Sequence, residues 1–211
     1  MKSRTWHIRI QEWFPPNDDV ATIMAQLCVL REDLYLELEG MKEDDIASLD
    51  YNGEGFRSIY FFRNSTKTLF EMRKVVGNLK RQAEFMKKLA KQREFHKAFK
   101  DFDTAIFKSR NLLKRLRHET SGHVDQKAFE CALQIIAPDT KQLFQAGDTP
   151  RTLHYKFCLE FLGAVFLRKA DTDFEVEWRK ILKATADVSF KAINAVDMLF
   201  MAYVEQRGFQ Y

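Results

Sequence analysis

From Phe56 to Leu116, apolar residues recur at steps of three and four positions, and this period constrains the fold more than any other feature of the sequence. Such steps place the apolar side chains in one stripe along an α-helix. The first row is Ile59, Phe62, Leu69, Met72, Val76, Leu79, Ala83, Met86 and Ala90, and the second is Phe95, Phe99, Phe102, Ile106, Leu113 and Leu116. Only Ser109 interrupts the second row, and no strong helix-breaking residue separates the two rows. The pattern predicts two long helices, with a turn between Gln82 and Gln92.

These two helices are expected to form an antiparallel pair at the centre of the fold, with four side chains of the second one buried: Phe95, Phe99, Phe102 and Ile106. The chain has 19 phenylalanines, which predicts a bulky aromatic core or an apolar contact between subunits. Its 8 glycines and 4 prolines provide few tight turns, which disfavours an all-β fold. We therefore predict an all-α fold, an antiparallel helical bundle of about five to six helices in one domain covering residues 1–211.

Capping residues and breakers place the remaining elements. Asn17 or Asp18 is predicted to cap a helix that runs to about Glu39, with Gly40 at its C-cap. Residues 50–55 are predicted to form a loop. Further helices are expected from Asp125 to Ile136, over residues 157–170, and over residues 174–206 after a cap at Asp173.

Two segments are less regular. Residues 1–16 are predicted to form an N-terminal arm, in which residues 4–14 alternate loosely as in a short strand or extended segment. Residues 142–146 and 152–155 flank Gly-Asp-Thr-Pro and predict a small β-hairpin, with a helix beginning near Arg151 as the alternative.

Composition sets limits on location and ligands. The net charge of +4 permits an anionic partner without requiring one. Three cysteines, Cys28, Cys131 and Cys158, lie in apolar helical patterns, as reduced core thiols of a cytosolic protein do. The first residues lack the apolar core of a signal peptide, and the longest apolar run, residues 157–167, is too short to span a bilayer. We expect a cytoplasmic protein without a membrane anchor. No glycine-rich phosphate loop is present, and no cofactor is predicted.

One segment concentrates the chemistry: Lys114-Arg-Leu-Arg-His-Glu-Thr-Ser-Gly-His-Val-Asp125. It gathers two of the five histidines with arginines and carboxylates, a set that can cleave a phosphodiester without a metal. His118 and His123 are five residues apart, so they do not share one face of a helix as zinc ligands four apart do. A zinc site with Asp125 as third ligand is the alternative, but the prediction is that no metal is bound.

Arg117 and His123, separated by five residues, resemble the Arg-x(4–6)-His motif of the HEPN superfamily (higher eukaryotes and prokaryotes nucleotide-binding domains). His118 stands at the polar position that follows the arginine in this family. The resemblance covers seven residues. It implies a helical bundle of four to six helices, often dimeric, with the motif near the junction between a long core helix and the next. It also implies RNA binding and, in many members, metal-independent endoribonuclease activity.

The resemblance implies roles for individual residues. Arg117 would neutralise the phosphate, and His123 would transfer the proton during attack by the ribose 2′-hydroxyl on the adjacent phosphate. Imidazole has an ordinary pKa near neutrality, which suits this task. Glu119 would orient an imidazole. Gly122, next to His123, departs from the helical setting of catalytic members.

Neighbouring residues extend this candidate site. Arg110, Asn111, Lys114 and Arg115 are predicted to contact nucleic acid, and Arg110-Asn111 with His118 forms an alternative motif with seven intervening residues. Arg110 and Arg117 are seven apart and therefore on one side of the helix. The competing interpretation is structural, since cations are favoured in the last turns of a helix. On that interpretation the chain is a non-catalytic helical scaffold or regulatory partner; on the first, it is a homodimeric RNA-binding protein.

Overall fold

The computed structural model describes residues 8–41, 54–118, 126–136, 144–145, 154–155, 161–162, 164–165 and 174–208. These residues are almost entirely helical, which confirms the all-α fold class. The helices are α1 Ile10–Trp13, α2 Asp19–Gly40, α3 Glu54–Leu79, α4 Ala83–Leu89, α5 Arg93–Lys108, α6 Arg110–Leu116, α7 Gln126–Ile135 and α8 Phe174–Gln206. Phe144–Gln145 (β1) and His154–Tyr155 (β2) pair antiparallel, as the predicted hairpin requires.

The chain divides into two compact units, each built from separate stretches of sequence. Unit 1 consists of Met1–Tyr35, Thr68–Lys108 and Val188–Tyr211, and unit 2 consists of Leu36–Lys67 and Ser109–Asp187. Helices α2, α3 and α8 each contribute residues to both units. The antiparallel bundle arrangement and the single domain therefore stay predictions.

The described residues contain eight helices, compared with the five to six predicted for the whole chain, and interruptions of the two long predicted helices account for part of the difference. A single turn was expected between Gln82 and Gln92, and the chain instead turns at both limits of that interval. Backbone hydrogen bonds from Gln82 to Leu79 and from Gln92 to Leu89, both 2.9 Å, close these turns. Neither turn contains glycine or proline, so the sequence carries no local signal for them. The second predicted helix also stops at Ser109, between α5 and α6.

The core of unit 1 contains the predicted aromatic stripe. Phe99, Phe102 and Ile106 are buried as expected, whereas Phe95 is only half-buried. Helix α8 contributes small side chains with no exposed surface, Ala192, Ala195 and Ala202. Small residues on one helix face permit close approach of a neighbouring helix. Arg31 of α2 donates to both carboxylate oxygens of Asp197 on α8, at 3.0 and 3.3 Å, and holds these two helices together at the surface.

The core of unit 2 is centred on an aromatic pair. Phe62 of α3 and Trp178 of α8 meet edge to face, with 4.9 Å between ring centroids. This pair packs with Ile59, Leu116, Leu162 and Ile181 in one buried cluster. Edge-to-face contact aligns the positive ring edge with the negative ring face and fixes the relative position of the two rings. Leu116 thereby ties α6 to the centre of unit 2.

The N-terminal segment was expected to be a strand or an extended arm, and its described part is different. Residues 10–13 form the helical turn α1. The rings of Trp13 and Phe14 stack on Phe200 of α8, at centroid distances of 6.0 and 6.3 Å. The hydroxyl of Tyr203 donates to the backbone carbonyl of Trp13. These contacts with a distant helix select the helical turn, and a local pattern cannot report them.

Asp18 makes the junction between this segment and α2. As predicted, it caps the helix: the backbone N–H of Ala21 donates to its carboxylate at 2.8 Å. The same carboxylate pairs with Arg207, whose guanidinium lies over the ring of Tyr203 at 5.1 Å. Partial burial raises the pKa of Asp18, but the hydrogen bonds from Ala21 and Arg207 outweigh it and bring the pKa below its ordinary value. Asn17 precedes it with a φ of 69°, a conformation that asparagine tolerates.

Several smaller expectations need correction. Gly40 is the last residue of α2, and close packing explains it, because an added Cβ would lie 2.5 Å from the ring of Phe61. Glu54 and Gly55 are helical, so the end of the predicted loop over residues 50–55 is wrong, and the other residues of that loop lie outside those described.

The starts of two later helices agree with the sequence. Helix α7 begins directly after Asp125, and α8 begins directly after Asp173. Of the predicted helix over residues 157–170, the described residues 161–162 and 164–165 are helical.

The two described cysteines differ from one another. Cys28 is partly buried, and burial, together with the carboxylates of Asp197 and Glu32, raises the pKa of its thiol to about 11. A thiol with so high a pKa is a poor nucleophile. Cys131 is exposed, contrary to the expectation of a core residue, and Cys158 lies outside the described residues.

Phe102→Ala is expected to lower the free energy of unfolding by about 3–5 kcal/mol, because the side chain has no exposed surface and its loss leaves a cavity. Phe107→Ala, on the same helix but 58% exposed, is the matched control and should cost below about 1 kcal/mol. Urea denaturation measures both. Equal losses in the two variants would contradict the assignment of the buried face.

Asp18→Ala is expected to destabilise the protein by about 0.5–2 kcal/mol at pH 7, the usual cost of losing a helix cap. Because folding lowers the pKa of Asp18, its stabilising contribution is present above the ordinary value of about 3.9 and is lost as the pH falls through the lowered pKa. Urea denaturation at pH 7 and pH 3 should therefore show a smaller difference between wild type and variant at pH 3. Asp18→Ser, which keeps a capping oxygen without charge, should fall between them at pH 7. A difference that does not change with pH would refute the ionic contribution.

Candidate functional site

Helix α6 carries the predicted nucleic-acid contacts, and its leucines orient it. Leu113 and Leu116 are buried, and Leu112 packs against the cluster around Phe62 and Trp178. At about 100° per residue, these three leucines occupy one side of the helix. Arg110, Asn111, Lys114 and His118 are exposed, whereas Arg115 and Arg117 are half-buried.

A second side of α6 is cationic. Arg110, Lys114 and Arg117 fall within an arc of about 60° around the helix axis, which lies across from Leu112 but begins about 40° from Leu113. Arg110 and Lys114 are exposed, and Arg117 is half-buried. The prediction that Arg110 and Arg117 share one side of a helix therefore agrees with the geometry. Together these three residues and His118 are called the cationic face.

The helix changes form where the motif begins. Arg117 and His118 continue α6 as π-helical residues, while the backbone N–H of Arg117 itself still donates to the carbonyls of Leu113 and Lys114, four and three residues earlier. Single π-helical turns inside or at the end of α-helices are frequent at functional sites. His118 is exposed at this turn, so its imidazole is accessible to a ligand.

The remaining predicted residues divide between described and undescribed parts of the chain. Asn111 is exposed on α6. Arg115 is half-buried, and its Nε is a buried donor without a hydrogen-bond acceptor among the described residues. Glu119 and His123 lie outside the described residues, as do Gly122 and Asp125. The Arg117–His123 pair therefore stays a prediction, and so does the alternative zinc site.

Within the described ranges, no three histidine, cysteine, aspartate or glutamate side chains are grouped so that they could hold a metal ion. Every helix in the part of the chain that the structure describes is too short or too polar to cross a membrane.

Unit 1 contains a groove that the sequence did not predict. It has a volume of about 540 Å³ and lies between the C-terminal parts of α3 and α5. Four cations and one carboxylate line it: Arg73, Lys74, Lys80, Arg81 and Asp103. Phe70, Phe107 and Gly77 are also among its lining residues. We call this site the basic groove.

The four cations of the basic groove are not equivalent. Lys80 pairs with Asp103, and Lys74 pairs with Glu71 at 2.9 Å while lying 5.2 Å above the ring of Phe70. Arg73 and Arg81 are exposed and have no carboxylate partner among the described residues. The two arginines are thus the cations of this groove that remain available to an anion from solution.

The sequence contained one signal for this groove. Arg73 lies four residues before Gly77 on α3, and Arg81 lies four residues after it in the turn that follows Leu79, so one arginine stands on each side of a position without a side chain. The second wall comes from α5, and no sequence pattern indicates which part of α5 lies beside this face.

Scans of family models, curated proteins and solved structures each find no match to this chain. Family membership therefore rests on the seven-residue motif alone, and the resemblance to the HEPN superfamily stays a hypothesis.

Two glycines in helices are expected to respond oppositely to alanine. Gly77→Ala should stabilise the protein by about 0.5–1 kcal/mol, because an added Cβ meets nothing within 4 Å and alanine has the higher helix propensity. Gly40→Ala should destabilise it by about 1–3 kcal/mol, because its Cβ would overlap the ring of Phe61. Thermal and urea denaturation measure both. A stabilising Gly40→Ala or a destabilising Gly77→Ala would contradict the packing described here.

Proposed function

We propose that this protein binds RNA through the cationic face of α6 and cleaves it without a metal, as a homodimer that resembles HEPN-superfamily ribonucleases. The observation that supports the proposal is the sidedness of α6. Its leucines pack into unit 2, while Arg110, Lys114 and His118 are exposed and Arg117 is half-buried at the edge of the same cationic face.

The cationic face suits a polyanion for electrostatic reasons. Each lysine or arginine that neutralises a phosphate releases condensed counterions, so binding gains free energy at low salt and weakens as salt rises. Arginine adds a planar fork of donors that matches two phosphate oxygens, which lysine cannot reproduce. Asn111 and Arg115 on the same helix extend the possible contacts with the RNA strand.

The proposed cleavage uses the RNA's own 2′-hydroxyl. His123 accepts the hydroxyl proton as the 2′-oxygen attacks phosphorus, and Arg117 stabilises the charge that develops on the phosphate oxygens. The bond from phosphorus to the 5′-oxygen breaks, and that oxygen takes up a proton. The products are a 2′,3′-cyclic phosphate and a 5′-hydroxyl end. Glu119 orients an imidazole ring, and His118 contributes to cleavage without being essential to it.

The homodimer belongs to the same proposal. In HEPN-like proteins paired motifs form one cleft, and the segment around Gly122 is proposed to lie close to the two-fold axis. Two facing copies of Arg117 would repel one another, and an RNA phosphate between them would offset that repulsion.

Cleavage of a labelled single-stranded RNA is expected to persist in EDTA, because the reaction uses imidazole and guanidinium groups. His123→Ala should abolish cleavage, Arg117→Lys should reduce the rate by at least about 100-fold, and His118→Ala should have a milder effect. Gel analysis of the cleavage products measures the rates, circular dichroism monitors folding, and light scattering reports the dimer.

The controls separate catalysis from stability. Arg110→Glu with Lys114→Glu should weaken RNA binding, and Lys127→Glu with Lys180→Glu, two exposed positions of unit 2 on other helices, should not. Cleavage that survives His123→Ala would refute the catalytic assignment. Equal losses of thermal stability in Arg117→Lys and His123→Ala would favour the structural interpretation, as would a monomer at high concentration.

The second candidate is a non-catalytic scaffold or regulatory partner. It is favoured by large apolar side chains that are exposed, among them Val29 at 62% and Phe190 at 65%. Single exposed apolar residues are common on monomers, so this observation supports the alternative less strongly than the sidedness of α6 supports RNA binding.

A further inference from the structure

The basic groove of unit 1 has the dimensions of a small-ligand site. Its volume of about 540 Å³ falls in the range of about 300–1,000 Å³ that is typical of pockets for small ligands. The groove belongs to residues 70–81 and 103–107, all in unit 1, whereas α6 belongs to unit 2. The inference drawn from it is therefore independent of the proposed function of α6.

The charge of the groove selects an anion. Arg73 and Arg81 lack a carboxylate partner among the described residues, while Lys74 and Lys80 are already paired with Glu71 and Asp103. Two arginines that line one concave site and lack a carboxylate partner among the described residues are suited to a phosphate group, because the forked donors of each match two phosphate oxygens.

The space in the groove is kept open by a glycine. Gly77 lies midway between the two arginines in sequence, and an added Cβ at this position would meet nothing within 4 Å. Packing therefore does not require glycine here, although glycine inside a helix costs stability. The missing side chain leaves room for a ligand in the groove that Arg73 and Arg81 also line.

The aromatic residues of the groove select a ligand with a flat ring. Phe107 lines the groove and is 58% exposed, which is a large area for a phenylalanine to leave in water. Phe70 has the ammonium of Lys74 above its ring, so one of its faces is already covered. Nucleobases stack on exposed aromatic side chains, and every base has a face suited to this contact.

We propose that the basic groove binds a nucleotide unit, with its phosphate between Arg73 and Arg81 over Gly77 and its base against Phe107. The same chemistry is presented by a free mononucleotide and by one residue of a single-stranded RNA. An acidic peptide offers the negative charge without the flat ring.

Binding is tested with two probes, a fluorescent adenosine monophosphate analogue and a fluorescein-labelled single-stranded RNA dodecamer, by fluorescence anisotropy. Arg73→Glu with Arg81→Glu should weaken binding of the groove's ligand at least tenfold, and Phe107→Ala should weaken it about tenfold. Lys88→Glu with Lys100→Glu makes the same change of charge at exposed positions outside the groove and should have little effect.

Gly77→Leu tests the space without changing the charge. Leucine is a good helix former, and its side chain would project into the open groove, so binding should be lost while the thermal melting curve is retained. Gly77→Ala keeps most of the space and should bind more tightly than Gly77→Leu. Retained binding in a folded Gly77→Leu protein would overturn the proposal.

The two probes distinguish the two sources of the nucleotide. Binding of the mononucleotide that these groove variants abolish identifies a free-nucleotide site. If the RNA binds, the mononucleotide does not, and the groove variants abolish RNA binding, the groove is a site for single-stranded RNA. Equal displacement of either probe by polyglutamate and by unlabelled nucleotide would overturn the proposal, as would binding of neither probe.

The α6 variant Arg110→Glu with Lys114→Glu separates this proposal from the proposed function. It should leave mononucleotide binding unchanged, because its positions do not line the groove. Loss of RNA cleavage in the His123→Ala variant with unchanged groove binding is also expected. Mononucleotide binding that is abolished by the α6 variant and unaffected by Arg73→Glu with Arg81→Glu would place the site on α6 and overturn the groove assignment.

Discussion

Burial of one continuous helix, α8, is the constraint on which the rest of the structure depends. It runs from Phe174 to Gln206 without a glycine or proline and supplies buried side chains to both compact units. In unit 2, Trp178 meets Phe62, and the resulting cluster fixes the leucine side of α6. In unit 1, Ala195 and Leu199 have no exposed surface. Residues that are buried in these two cores are not available at the surface, and each candidate site is formed by the residues that stay exposed beside them.

The fold could be predicted from sequence wherever burial imposed the helical period. The stripe through Phe99, Phe102 and Ile106 is such a case, and so is the cap at Asp18, whose carboxylate has a local task. The turns after Leu79 and Leu89 could not be predicted, because ordinary residues form them and a distant contact supports one: Gln92 donates to Glu205 of α8 at 2.8 Å. The α1 turn likewise depends on stacking against Phe200.

The two candidate sites also differ in how far they could be predicted from the sequence. The cationic face of α6 is a property of one helix, so counting positions from Arg110 to His118 was sufficient to find it. The basic groove needs two helices that are separated by α4, and Asp103 and Phe107 enter it only through tertiary packing. The net charge of +4 was also uninformative about the basic groove, because it does not show which cations are paired. Lys74 and Lys80 are paired, whereas Arg73 and Arg81 have no carboxylate partner among the described residues.

The chemistry available at the two sites differs more than their charge. The basic groove combines arginines and phenylalanines with one carboxylate, and that carboxylate, Asp103, is engaged by Lys80. Because Asp103 is already engaged by Lys80 and no histidine is among the described residues that line the groove, this groove is suited to binding a phosphate rather than to proton transfer. The segment after α6 contains two histidines close to Arg117, and imidazole is the side chain best suited to proton transfer near neutral pH. If the protein both binds and cleaves a phosphodiester, the groove would contribute to binding only, whereas α6 and the motif that follows it would contribute to both binding and cleavage.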